Sequence, residues 1–104
     1  MILSTGPTIE GRPVTDHLGV VSAQAIMGVN IGKDITAGLR NIVGGRSKSY
    51  EGEISKAVSE VMLELEAGAE QLGADAILSI DIDYETVGSN MLMVAGSGTA
   101  VRLS

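Results

Sequence analysis

Residues Leu78–Glu85 alternate strictly between apolar and polar side chains, and this pattern constrains the fold more than any other segment does. A period of two indicates a β-strand whose two faces differ. The segment has four apolar members, Leu78, Ile80, Ile82 and Tyr84, and four polar members, Ser79, Asp81, Asp83 and Glu85. We therefore predict a strand with one buried face and one face that carries a row of carboxylates.

A long amphipathic helix is predicted just before this strand. Apolar residues recur at spacings of three, four and seven, which places them on one side of a helix: Ile54, Val58, Val61, Met62, Leu65, Ala69 and Leu72. Glutamates occupy the other sides. Gly73 readily takes the left-handed conformation that ends helices. The spacing predicts a helix over about residues 50–72, packed by its apolar stripe.

The remaining elements are predicted to be mostly strands. Met1–Thr5 fits a short edge strand, and Val14–Met27 fits a long strand that bends at Gly19, where glycine often marks a bulge. Ala76–Val87 and Met91–Leu103 form a hairpin, because a turn signal separates them. A short helix is also predicted from about residue 34 to residue 43.

The last strand is predicted to lie in the centre of the sheet. Neither of its faces carries a charge before Arg102, and a strand that is apolar on both faces is buried on both. Gly96 and Gly98 share one face, so another element approaches closely there. We predict one domain over residues 1–104, of the α+β class, with an antiparallel sheet, one long helix and the short helix.

Because one helix covers one face of a sheet, the other face is predicted to be covered by a second subunit. Hydrophobic residues make up 44% of the sequence, and the mean hydropathy is +0.28. Such a surplus of apolar surface in a small domain favours self-association.

Charge and composition exclude several classes of function. The net charge is −6 and only two aromatic residues are present, Tyr50 and Tyr84, which disfavours binding to nucleic acid or to an anionic membrane. The chain has no cysteine, so it has no disulfide, thiolate metal site or cysteine nucleophile. We expect no secretion signal, because residues 1–7 have no basic region and no long apolar stretch. No apolar run approaches the roughly 20 residues of a membrane-spanning helix. We expect a cytoplasmic protein.

The acidic strand is the first candidate site. Asp81, Asp83 and Glu85 lie on one face at spacings of about 6.6 Å, twice the rise of a strand residue. Two such carboxylates could share a divalent cation such as Ca²⁺ or Mg²⁺. The alternative is a solvated face, or ion pairs with Arg40, Arg46 or Arg102.

A glycine-rich turn is the second candidate site. Gly44, Gly45, Arg46 and Ser47 precede the long helix, and backbone N–H groups at a helix N-terminus can hold phosphate or carboxylate. The turn lacks the spacing of a P-loop. The alternative is a purely structural role, in which the glycines end one helix and a serine caps the next.

Catalytic chemistry and soft-metal binding have few candidate residues. His17 is the single histidine, and alternation places it on the opposite face from Asp16, which argues against a serine–histidine–acid triad. Four of the five methionines occupy apolar positions and are interpreted as packing residues, namely Met27, Met62, Met91 and Met93, whereas Met1 is terminal. A ring of His17 side chains from several subunits remains an alternative metal site, and an enzyme of unknown reaction remains an alternative function.

Several segments together resemble the YbjQ-like family of small bacterial and archaeal proteins. They are Leu18–Ser22, Ile42–Ser47, Tyr50–Glu51, Leu72–Ala76, Asp81–Glu85, Met91–Val94 and Gly98–Val101. The resemblance implies a dodecin-like β-α-β-β arrangement and assembly into a ring, expected to be a homopentamer. The family is labelled "putative heavy-metal-binding", its biochemical role is not established, and it implies no catalytic residues.

Taken with this resemblance, the sequence predicts a non-enzymatic ring of identical subunits that binds an unknown small ligand or partner. The alternative is a protein that binds a divalent cation through the acidic strand.

Overall fold

The described part of the chain folds as a four-stranded sheet with one helix packed on one face. The computed structural model describes residues 1–27, 48–88 and 91–104. The elements in chain order are β1 (Ile2–Leu3), β2 (Val14–Met27), α1 (Lys48–Gln71), β3 (Ala76–Val87) and β4 (Met91–Leu103). The predicted α+β class is confirmed. The short helix predicted at residues 34–43 lies outside the described residues.

The strand order is β1-β3-β4-β2, so β4 is internal and lies between β3 and β2, as its uncharged faces predicted. Both of these pairings are antiparallel. The sheet is nevertheless mixed, because β1 pairs with β3 in parallel. This corrects the expectation of a purely antiparallel sheet. The chain enters β1 and β3 from the same end of the sheet, so these two strands run in the same direction.

Helix α1 buries most of the predicted stripe against the sheet, but Leu72 lies beyond the last residue of the helix and is exposed. Val61, Leu65 and Ala69 are completely buried. The helix ends where Gly73 adopts a φ of 77°. There the Gly73 N–H donates to the Glu70 carbonyl and the Ala74 N–H donates to the Ala69 carbonyl, each at 3.0 Å. This pair of bonds is a Schellman motif, which satisfies carbonyls that the helix leaves free.

The two glycines of β4 explain how closely α1 and β3 side chains approach the sheet. A Cβ atom at Gly96 would lie 2.6 Å from Val61 Cγ1, and a Cβ atom at Gly98 would lie 2.5 Å from Ile77 Cγ2. Carbon atoms in contact normally lie about 3.5–4.0 Å apart. The close approach predicted from these glycines therefore occurs on the face that packs against α1.

We call the opposite side of the sheet the distal face, and its β4 residues are Met91, Met93, Ala95, Ser97, Thr99, Val101 and Leu103. The N-terminal segment covers one end of it, where Ile2, Ile9 and Val14 pack against a small buried cluster. The cluster consists of Ala76, Leu78, Val101 and Leu103. A second, smaller apolar core therefore lies under residues 1–14.

A bulge in β3 breaks the alternation that predicted this strand. The pairing with β4 shifts between Leu78 and Asp81, and Ser79 takes a φ of 53°. The Ser79 N–H donates to the Gly6 carbonyl at 2.9 Å. Leu78 consequently belongs to the distal cluster, whereas Ile80 belongs to the core under α1. The prediction that these two side chains share one face is wrong, because the bulge inserts an extra residue between them.

Candidate functional site

The acidic row of β3 lies on the distal face, just beyond the bulge. Asp81 pairs with Ser97, Asp83 with Ala95, and Glu85 with Met93. All three acidic side chains are exposed. The structure thus confirms that they share one face of the sheet, and it places them along the edge of that face, past the point where β1 stops covering β3.

The carboxylates of this row influence one another. A hydrogen bond with Asp81 raises the pKa of Asp83, and the negative charge of Asp81, some desolvation and the charge of Glu85 raise it further. A proton shared between two carboxylates favours the neutral form of one of them. The row is therefore a site of mutual repulsion between negative charges, and a positive group would relieve that repulsion.

Arg102, one predicted ion-pair partner of the row, lies elsewhere. Its Nε donates to the Gly73 carbonyl at 3.2 Å, next to the end of α1. Arg102 follows Val101 on β4 and faces the α1 side, opposite the acidic row. The other two predicted partners, Arg40 and Arg46, and the glycine-rich turn of Gly44, Gly45 and Ser47 lie outside the described residues.

His17 and Asp16 do not form an acid–base pair. His17 pairs with Val101 and Asp16 pairs with Arg102, so the two side chains lie on opposite faces of β2. Asp16 instead accepts a hydrogen bond from Thr15 Oγ1 at 3.4 Å. The predicted separation of these residues is confirmed, so Asp16 cannot orient His17 as the acid of a triad does.

An exposed apolar strip on β2 is the feature that our sequence interpretation missed. Val20 is 76% exposed and Ile26 is 59% exposed. Both lie on the distal face, because Val20 pairs with Thr99 and Ile26 pairs with Met93. Between them lie Ser22 and Gln24, which are also exposed. Period-two alternation within β2 places these residues on one face, but it does not tell which face of the sheet the helix covers.

The comparison with known families identifies the chain. A family model described as "putative heavy-metal-binding" matches residues 1–104. The chain belongs to the YbjQ family. A crystal structure from Pediococcus pentosaceus, of a protein of unknown function from the DUF74 family, has a similar fold, with a TM-score of 0.70 and 19% sequence identity. The match covers 100% of this chain and 98% of that one. At this identity the likeness concerns the fold.

The donor atoms of this YbjQ chain do not fit a soft heavy metal. Soft metals prefer thiolate, thioether and imidazole ligands. The sequence has no cysteine, one histidine and five methionines, of which Met27 and Met62 pack in the core under α1. Within residues 1–27, 48–88 and 91–104, no three His, Asp or Glu side chains are grouped so that they could hold a metal ion. The oxygen atoms of Asp81 and Asp83 suit a hard divalent cation better.

The thioethers of the YbjQ chain divide between packing and the distal face. Met27 is 6% exposed and lies in the core under α1, and Met62 packs against the same core. Their interpretation as packing residues is confirmed. Met91 and Met93 are half-buried on the distal face. Met93 pairs with Glu85 on one side and with Ile26 on the other, so it lies between the acidic row and the exposed residues of β2.

Among the residues that the structure describes, no helix combines the length and the apolar character needed to cross a bilayer.

Proposed function

We propose that this chain is a non-enzymatic cytoplasmic protein that assembles into a closed ring of identical subunits and binds a small ligand or partner through the ring. The observation that carries the proposal is the distal face of β4, where Met91, Met93 and Ala95 are apolar and only half-buried and no residue of β4 on this face carries a charge. Covering a large apolar side chain contributes about 1.5–3 kcal/mol before the cost of association, which supports contact between subunits over this face. A pentamer is the assembly that the family resemblance implies.

Mass measured by light scattering tests the ring. At micromolar concentration we expect a closed ring with five times the mass of the 10.7 kDa chain, or ten times that mass where two such rings pair. Ser97 lies in the middle of the distal face and is half-buried, whereas Ser59 is exposed on α1. Ser97→Arg should therefore reduce the mass, and the matched variant Ser59→Arg should not.

Both variants should keep the circular dichroism spectrum of the parent protein, because neither serine is in the core. A parent protein that runs as a monomer would contradict the ring. An unchanged mass of Ser97→Arg would contradict the use of the distal face as the contact between subunits.

A divalent cation at the acidic row is the second candidate function. The mutual influence of Asp81, Asp83 and Glu85 supports it, because an oxygen-binding cation would replace their repulsion with attraction. Within one subunit Asp81 and Asp83 would hold the ion, and a neighbouring subunit would complete its coordination. Ca²⁺, Mg²⁺, Mn²⁺ and Zn²⁺ are the probes, and a cation at 100 times its Kd should stabilise the fold by about 2.7 kcal/mol.

The control for the cation is a second pair of exposed carboxylates. We expect Asp81→Asn with Asp83→Asn to abolish the shift in melting temperature, and Glu60→Gln with Glu64→Gln on α1 to leave it unchanged. A shift of equal size in both double variants, or no shift with any of the four ions, would exclude the acidic row as the site.

The glycine-rich turn remains the predicted anion site of the ring. If Gly44, Gly45, Arg46 and Ser47 hold a phosphate group, pyrophosphate should raise the melting temperature of the parent protein. Arg46→Ala should lose this shift, while Arg12→Ala, at an exposed arginine on the N-terminal segment, should keep it. Equal shifts in both variants would locate the anion elsewhere.

A further inference from the structure

The two edges of the sheet differ in how they are protected. Along β3, beyond the two residues paired with β1, the edge carries Asp81, Asp83 and Glu85. Along β2, no strand of the described residues pairs with the outer edge, and Leu18–Met27 contains no charged residue. Natural sheets place charges on edge strands to prevent edge-to-edge pairing. The acidic edge is protected in this way, and the edge of β2 is not.

The regular part of β2 is self-complementary. Its pairing with β4 is uninterrupted from Gly19 to Met27, and its register shifts lie between Val14 and Gly19. The midpoint of this regular run is Ala23. If two copies of β2 pair antiparallel about a two-fold axis at Ala23, Val20 lies opposite Ile26 of the partner subunit. The two side chains that are 76% and 59% exposed in one subunit would then cover each other.

We propose that two copies of this chain join edge to edge through β2, with Ala23 at the two-fold axis. The strand that pairs with the β2 edge is therefore β2 of a second copy of this chain, with Val20 opposite Ile26 of the partner subunit. Charge supports this choice over pairing through β3, because two β3 edges would bring their carboxylates together and like charges on paired strands are unfavourable. The contact is isologous, so it goes beyond the proposed ring: it joins subunits in pairs and would link two rings back to back.

Paired cysteine variants test the register, since the chain has no cysteine of its own. In the proposed pairing Ser22 lies opposite Gln24 of the partner subunit. Opposed residues in antiparallel strands have Cα atoms about 4.5–5.5 Å apart, which suits a disulfide. A mixture of Ser22→Cys and Gln24→Cys subunits, unfolded and refolded together, should therefore cross-link under a mild oxidant.

The same experiment contains its control. Two Ser22→Cys subunits place their cysteines diagonally, at about 7–8 Å, which is at or beyond the limit for a disulfide. We expect the mixed cross-link to exceed the Ser22→Cys self-cross-link at least tenfold when one variant carries a mass tag. Equal yields for like and unlike pairs, or no mixed cross-link, would overturn the proposed register.

A charge at the edge provides a second measurement. Val20→Lys adds the kind of residue that protects natural edge strands, at a position that is already exposed, so the fold should be retained. We expect it to halve the mass of the assembly and to abolish the Ser22–Gln24 cross-link in that background. An unchanged mass and an unchanged cross-link would overturn the contact. Because Ser97→Arg tests the ring and the cross-link tests the β2 edge, failure of one is distinguishable from failure of the other.

Discussion

The two faces of β4 use small residues for opposite reasons. On the side of α1, Gly96 and Gly98 are buried and lie against side chains that would collide with any Cβ atom. On the distal side, Ala95 and Ser97 alternate with them but remain half-buried. On the α1 side the residues are small because side chains of α1 and β3 occupy the space beside them. On the distal side, no side chain of the described residues covers Ala95 and Ser97 completely. Strand β4 thus contributes to the core on the α1 side, and its residues on the distal side form an uncharged surface.

The largest effect should come from the α1 side of β4. Leu65 is completely buried on α1, and replacing such a leucine with alanine costs about 2–5 kcal/mol of unfolding free energy through lost burial and a cavity. Leu63 is 64% exposed on the same helix, so Leu63→Ala should change stability by less than about 0.5 kcal/mol. Urea denaturation measures both. If Leu65→Ala and Leu63→Ala lowered the free energy of unfolding equally, both sides of α1 would be buried.

Glycine substitutions test the same face by adding a methyl group. Gly98→Ala should cost about 1–3 kcal/mol, because the new Cβ would lie 2.5 Å from Ile77 Cγ2 and 3.2 Å from the Leu78 carbonyl oxygen. Gly52→Ala, in α1, meets no atom within 4 Å and should stabilise the protein by about 0.5–1 kcal/mol. Opposite signs for one chemical change are expected in thermal denaturation. If Gly98→Ala stabilised the protein, the space beside Gly98 on the α1 side of β4 would not be occupied as described.

The bulge that separates the two apolar clusters should respond to residue 79. Ser79 is exposed and holds a φ of 53°, which a β-branched residue tolerates poorly. Ser79→Val should cost about 1–2 kcal/mol, whereas Ser79→Gly should be within about 0.5 kcal/mol of the parent protein. Chemical denaturation of the two variants measures this difference. If both variants are equally stable, backbone conformation does not hold Leu78 and Ile80 on opposite faces.

The smallest effect should come from the acidic row of the distal face. The hydrogen bond with Asp81 raises the pKa of Asp83 above its usual value of 3.8, so the folded protein binds a proton there more readily than the unfolded chain does. Stability from this group therefore increases as the pH falls through the raised pKa towards 3.8, and decreases as the pH rises through that window. Asp83→Asn should raise the melting temperature slightly at pH 7 and flatten its dependence on pH above 3.8. Glu60→Gln should do neither.

The sequence predicted the elements of this fold well because each has a strong local pattern. The bounds of β2, β3 and β4 and the central place of β4 followed from alternation, turn residues and the absence of charge. The bulge did not follow, because Ser79 carries no glycine or proline signal and its conformation depends on bonds to a segment far away in the sequence. The parallel pairing of β1 was missed for a similar reason, since only two residues take part.

The sequence predicted which acidic residues share a face, but it did not predict which other side chains are exposed beside them. The common face of Asp81, Asp83 and Glu85 follows from a period of two. The position of Arg102 on the opposite side does follow from alternation, but its bond to Gly73 depends on where α1 ends. The exposure of Val20 and Ile26 depends on which face the helix covers, and hydropathy alone does not decide that.

The central place of β4 also determines when the protein can fold during synthesis. β2 and β3 do not touch as strands, and each depends on β4 for its antiparallel partner. Yet β4 is the last of the four strands to leave the ribosome. Domains normally begin to fold as they emerge from the ribosome. In this chain the apolar residues of the earlier strands stay uncovered until β4 has been synthesised. Folding should therefore begin only after translation has passed residue 103, and a nascent chain stalled before β4 should remain sensitive to protease.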